Sequence, residues 1–172
     1  MNIVFGFHKP GATEETAPQF PSDNPPPAIT DWIAEAAARC TEAGLTLMIE
    51  PEPICWCDTG RTTADLIRGL PNLRINYDPG NVAWHTNRDP IDEFEIVAPH
   101  IANVHIKDIR PVIGEPEWVP PGEGIIDYAA HFAALRGIGY RGPVSLEPHM
   151  DGTADSTRRC KEAVERLWRL VP

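Results

Sequence analysis

The sequence has no surplus of basic residues. Lys and Arg number 15 against 25 Asp and Glu in 172 residues, a formal charge of −10. Phosphate backbones are gripped by clustered cations, so no nucleic-acid partner is expected. An anionic membrane surface is unsuited for the same reason. No apolar run approaches the ~18–20 residues that a membrane-spanning helix needs. Met1–Phe7 is apolar but far too short for a signal peptide and lacks the basic start, so a cytoplasmic protein is expected. Cysteines are few: Cys40, Cys55, Cys57 and Cys160. The Cys55-Trp56-Cys57 spacing is tighter than the CxxC of metal and redox motifs, which favours reduced thiols over a disulfide framework. There is no low-complexity segment and no glycine-rich phosphate loop, which leaves phosphate recognition open. What remains is 42 % apolar and 23 % charged, the composition of a globular protein. The length fits one domain over residues 1–172.

Five short aliphatic segments read as strands: Asn2–Phe7, Leu45–Glu50, Leu73–Asp78, Ile101–Ile106 and Val144–Glu147. Helical patterns lie between them. Thr30 or Asp31 can cap a helix whose stripe is Ile33, Ala36, Ala37 and Cys40, ended by Gly44. A short helix fits Thr63–Arg68. Asp89-Pro90 starts one that buries Ile91, Phe94 and Val97, with Asp as cap and Pro in the first turn. Asp127 starts another, with Tyr128, Phe132 and Leu135 inward, and the last runs from Ser156 to Leu170 over Cys160, Val164, Leu167 and Trp168. Strands alternating with helices imply parallel βαβ units, so Pro18–Pro27 is a long βα loop rather than a linker. The irregular stretch Arg110–Gly124 reads as a loop over a site.

Side chains alternate across a strand with period two. That phase groups Met48 with Glu50, Asn76 with Asp78, Asn103 with His105 and Lys107, and Ser145 with Glu147. Four successive strands thus end in Glu50, Asp78, His105 and Glu147, at the carboxyl ends where parallel α/β folds bind ligands. One charged residue at a strand mouth can simply be solvated. Three carboxylates converging at one place need a cation, because unpaired buried charges cost several kcal/mol each. Three carboxylates and an imidazole suit Mn²⁺, Mg²⁺, Co²⁺ or Zn²⁺ with positions left for substrate oxygens.

LMIEPEP (47–53), NYDPGN (76–81), NVHIKD (103–108), PPGEGIID (120–127) and GYRGPVSLEP (139–148) resemble, in order and strand position, the sugar phosphate isomerase/epimerase family of the xylose isomerase-like TIM barrel superfamily, which is related to AP endonuclease family 2. The resemblance is good from Leu45 to about Met150 and loose elsewhere. It implies that Glu50, Asp78, His105 and Glu147 are divalent-metal ligands, with Mn²⁺ the first choice, and that Glu50 and Glu147 form the catalytic acid/base pair. The implied reaction is isomerisation or epimerisation of a ketose or keto-sugar through an enediolate. Lys107, Asn81, His8 and Glu123 are the candidate substrate contacts. Each has a plainer reading: surface lysine, replacement for a histidine common in relatives, exposed histidine, structural turn. Trp56, Trp84 and Trp118 could wall a sugar site or merely pack. Glu52 and His149 lie one step beyond the ligand candidates.

A full eight-stranded barrel takes about 250 residues. By the resemblance, the chain holds the C-terminal five of eight βα units, and a homo-oligomer or complementing subunit is expected over the open barrel edge. Two further readings stay alongside the isomerase. One is a lyase or dehydratase on a keto-sugar or inositol derivative using the same metal site. The other is an inactive truncated barrel acting as an assembly module.

Overall fold

A computed structural model describes residues 2–13, 23–110 and 117–171. Five parallel strands form one open sheet: β1 (Asn2–Phe5), β2 (Thr46–Ile49), β3 (Leu73–Tyr77), β4 (Ile101–Ile106) and β7 (Val144–Leu146), in the order β1-β2-β3-β4-β7. This is the open, half-barrel arrangement expected from the alternation of strands and helices. The helices are α1 (Pro27–Glu42), α2 (Gly60–Ile67), α3 (Pro79–Thr86), α4 (Phe94–Val97), α5 (Tyr128–Gly137) and α6 (Ala154–Leu170). None of the described helices is long and apolar enough to cross a membrane.

The strands have two different faces. Leu47, Ile49, Leu73, Ile75, Tyr77, Val104 and Ile106 face the helices and build the apolar core with Ile33, Ile67, Phe94 and Phe132. The opposite phase carries Met48, Asn76, Asn103, His105 and Ser145. The outermost strands show unpaired edges, with Ile3, Val4 and Val144 about 36–40 % exposed. An apolar edge strand without a partner is a template for further pairing.

Several elements differ from the sequence reading. Helix α1 begins at Pro27 with no side-chain cap, rather than at Thr30 or Asp31. Proline in the first turn has no N–H to satisfy and a preset φ, so no cap is required. Ala36 is exposed, because the buried stripe passes through Ile33 and Ala37. The Asp89-Pro90 segment is broken: a 3₁₀ turn at Pro90–Glu93, the four-residue α4, then a second 3₁₀ turn at Ala98–His100. Pro99 cannot continue a helix. Phe94 and Val97 are buried as expected, but Ile91 is only half-buried. The stretch after β4 is not all loop: β5 (Asp108–Arg110) pairs antiparallel with β6 (Glu117–Val119). Part of Pro18–Pro27 and of Arg110–Gly124 lies outside the described residues. Helix α3 was not foreseen at all. Its signature is nevertheless in the sequence: Asp78 caps it by accepting from Asn81 N at 3.0 Å, Pro79 opens its first turn, and Asn87 closes it at φ 55°.

Candidate metal centre

Three of the four predicted ligands stand one residue past a strand end: Glu50 after β2, Asp78 after β3 and Glu147 after β7. His105 is within β4. A ligand atom from each of the four lies within 4.8 Å of all the others. His105 Nδ1 points at the centre, 3.1 Å from Glu50 Oε1, 3.2 Å from Glu147 Oε2 and 3.8 Å from Asp78 Oδ2.

A layer of amides supports the ligands from below. Asn76 Nδ2 donates to Glu50 Oε2 at 2.8 Å and lies 3.1 Å from His105 Nδ1. Asn103 Nδ2 donates to Asn76 Oδ1 at 2.7 Å, and Ser145 Oγ donates to Asn103 Oδ1 at 3.3 Å. Asn76 and Asn103 are in register across β3 and β4, and Asn76, Asn103 and Ser145 each stand two residues before a ligand candidate, on the same face. Partners of this kind orient metal ligands and set their basicity. The sequence phase had grouped these residues with the ligands without giving them a role.

Lys107 is not the surface lysine that was one of its two readings. It is 3 % exposed, with Nζ 2.7 Å from Asp78 Oδ2 and in contact with Glu147 Oε2. Tyr128, itself buried, fixes the backbone there by accepting from Lys107 N at 3.2 Å and donating to Lys107 O. Gly80 allows this close approach: a Cβ there would lie 2.5 Å from Lys107 Cγ and 2.9 Å from its carbonyl oxygen. Asn81 also reaches the centre, donating from Nδ2 to Glu50 Oε1 at 3.3 Å.

The electrostatics follow from three carboxylates held together. Burial pulls the His105 imidazole down, but hydrogen bonds to Glu147 and Glu50 and the charges of Glu50 and Asp78 outweigh it, raising its pKa to about 10. Burial would raise Glu147, but His105 and Lys107 hold it well below the usual carboxylate range. Glu50 goes the other way, pushed up by burial and by Asp78 despite its bond to His105. Burial disfavours the Lys107 ammonium, yet Asp78 and Glu147 raise it overall. Asp78 Oδ2 is buried and receives no aligned hydrogen bond even with Lys107 beside it. A hard oxygen-rich set with one imidazole fits a divalent cation.

The centre opens into a cleft of about 110 Å³ lined by Glu50, Glu52, Asn81, Trp84, Lys107, Glu147 and His149, among others. His149 Nε2 lies 3.7 Å from Glu147 Oε1, and its ring meets Trp118, which in turn packs edge-on against Trp84. Two predicted contacts are not brought to the cleft. His8 is exposed and paired by a β-bridge with Cys55. The Glu123 carboxylate faces Arg110 at 3.5 Å, and its loop is tied instead by Asp108, which accepts from Gly122 N and Gly124 N. Trp56 packs under Lys9, outside the cleft lining.

The description of the family model that matches, over residues 7–170, is xylose isomerase-like TIM barrel. The chain belongs to that family. Its relatives include L-ribulose-5-phosphate 3-epimerase UlaE of Escherichia coli O157:H7 (strain EC4115 / EHEC), 33 % identical over 141 residues, covering 80 % of this chain and 48 % of the relative. The inosose dehydratase of Geobacillus kaustophilus (strain HTA426) is 28 % identical over 178 residues, covering 93 % and 58 %. Among solved structures, the IOLI protein with a bound zinc atom superposes with a TM-score of 0.74 at 18 % identity, covering 99 % of this chain and 64 % of that one. The chain therefore spans about half the length of the curated relatives it matches.

Proposed function

We propose that the centre is a divalent-metal site serving an isomerase or epimerase of a ketose or keto-sugar. One observation carries this reading: donor atoms of Glu50, Asp78, His105 and Glu147, delivered by four adjacent parallel strands, meet within 4.8 Å at the carboxyl end of the sheet. These four residues would hold the metal, with Mn²⁺ the first choice among Mn²⁺, Mg²⁺, Co²⁺ and Zn²⁺. When bound, the metal supplies Lewis-acid polarisation of the substrate carbonyl and stabilises the enediolate charge. The chain's own groups do the rest. Glu50 and Glu147 come from β2 and β7, on either side of the β3–β4 pair, so one carboxylate can take the proton α to the carbonyl while the other returns one. Lys107 sits at Glu147 and can donate to a substrate oxygen. Asn81 stands where it can do the same beside Glu50. Trp84 and His149 wall the cleft and limit water.

A dehydratase on a keto-sugar or inositol derivative is the second reading. It is favoured by the inosose dehydratase match over 93 % of the chain, and it uses the same α-proton abstraction. The open edges at β1 and β7 would be covered by a second copy or a complementing subunit. Metal analysis and a ketose epimerisation assay, with inosose dehydration run in parallel, test the proposal. Wild type binds about one divalent ion at this centre, and Glu147→Gln abolishes turnover. Absence of bound metal together with unaltered turnover in Glu147→Gln refutes it.

A further inference from the structure

A second group of metal-type donors lies on the loops that follow β1 and β2. His8, Glu52 and Cys55 each place one ligand atom within 4.8 Å of the other two. The frame that holds them is rigid. Lys9 N donates to Ile54 O at 2.9 Å, Trp56 N to Phe7 O at 2.7 Å, and Cys55 N to Glu52 O at 3.0 Å. The His8–Cys55 bridge thus fixes two loops against each other. Gly6 leaves room for the sulfur: a Cβ at that position would lie 2.8 Å from Cys55 Sγ. Cys55 is fully buried, Glu52 half-buried and His8 exposed.

We propose that His8, Glu52 and Cys55 form a second metal site, selective for a borderline-soft divalent cation such as Zn²⁺ or Co²⁺, with a fourth position open. Imidazole, carboxylate and thiolate are the zinc donor set, whereas Mg²⁺ and Mn²⁺ take oxygen. This selectivity separates it from the four-residue centre, which offers no sulfur. Without the ion, burial and the neighbouring Glu52 carboxylate hold Cys55 as a thiol, its Sγ donating to Glu52 Oε2 at 3.5 Å. Binding forms the sulfur–metal bond and releases that proton to solvent, leaving the oxidation state of both unchanged.

Co²⁺ titration of the full chain reads the site directly, because only a thiolate ligand gives an intense sulfur-to-cobalt charge-transfer band in the near ultraviolet. Wild type shows the band at the intensity of one thiolate-bound Co²⁺ per chain, and Zn²⁺ bleaches it. Cys55→Ser abolishes it. His8→Ala, at an exposed position where folding is unaffected, weakens Co²⁺ binding by this band at least tenfold. Cys57→Ser and Glu147→Gln retain the band at full strength, which keeps the result independent of the four-residue centre. A wild type without the band, a band undiminished in Cys55→Ser or His8→Ala, or one lost in Cys57→Ser or Glu147→Gln, overturns the proposal.

Discussion

Asn76 offers the sharpest test of how the centre is held. It is fully buried, and its side-chain amide makes the link between Glu50 and Asn103, at 2.8 and 2.7 Å. Asn76→Leu keeps the branching and heavy-atom count of the side chain and removes the polarity. Two buried groups then lose a partner: the Glu50 Oε2 atom and the Asn103 Nδ2 donor. A stranded neutral donor costs about 1–3 kcal/mol and a hydrogen bond to a charged group about 1.5–3, so together they cost about 2.5–6 kcal/mol. That is a large part of the 5–15 kcal/mol of stability typical of a domain, and roughly 2–4 °C per kcal/mol puts the melting point about 10 °C lower. Glu50 also loses its orientation, which costs roughly 10–100-fold in metal affinity. Thermal melts followed by near-ultraviolet circular dichroism in chelator, with parallel metal titrations, measure both effects. Asn76→Leu is the decisive variant because it leaves no cavity; Asn76→Ala should be no milder. An Asn76→Leu protein within about 1 kcal/mol of wild type would refute the claim that the amide chain positions the ligands.

Other expectations follow from the same geometry. A divalent ion at 100 times its Kd adds about 2.7 kcal/mol, so the melting point rises by roughly 5–10 °C and returns with chelator; Asp78→Asn should lose most of this rise. Gly80→Ala drives a methyl into Lys107 and its carbonyl, costing about 1–3 kcal/mol in a denaturant melt. Asp89 accepts from Asp127 N at 2.7 Å and lies 2.8 Å from His131 Nε2. Burial would raise its carboxyl, but His131 and the backbone donors of Asp127 and Ile91 outweigh this and hold it below the usual value. A depressed folded-state value means the stabilisation is present above the unfolded pKa of about 3.9 and is lost as pH falls through the folded one. The stability gap between wild type and Asp89→Ala should therefore be full at neutral pH and shrink on acidification below about pH 4, as read by urea melts across pH.

Regular signals in the sequence account for what was legible. The five aliphatic runs gave the parallel strands, and the period-two rule placed Glu50, Asp78, His105 and Glu147 on one side, because a buried sheet forces that alternation. Strand boundaries moved by at most two residues, while α1 and α2 start three or more residues earlier than expected. More was lost where one residue serves two purposes. Asp78 reads as a ligand, which hid its Oδ1 as the cap of α3 although Asp-Pro is the same start signal used at Asp89. Lys107 could be read as exposed because nothing in its neighbours says that Asp78 and Glu147 would converge on its ammonium. The Gly122–Gly124 loop was linked to the site through Glu123, whereas the residue that organises it is Asp108, buried and bonded to four backbone amides from Ile109 to Ile126. Such hydrogen bonds to the main chain leave no pattern in side-chain hydropathy.

The placement of the ligands bears on how a half-barrel can keep a centre intact. Glu50, Asp78 and His105 are carried by β2, β3 and β4, strands that each pair with a neighbour on both sides. Glu147 is the exception. It follows β7, whose outer edge is unpaired, and its side chain is 37 % exposed against 0 % for Asp78. Its position rests instead on Lys107, on His105 and on the bond from Glu147 N to Ile106 O at 3.1 Å. The most exposed of the four ligand candidates is therefore the one that follows an edge strand of the described sheet. Pairing of the β7 edge by a second copy or a complementing subunit would tighten Glu147 first, and metal affinity should rise with protein concentration if that pairing is what completes the site. An affinity constant across a hundredfold dilution that spans the monomer–oligomer transition would show that β4 and Lys107 alone suffice to hold Glu147 in place.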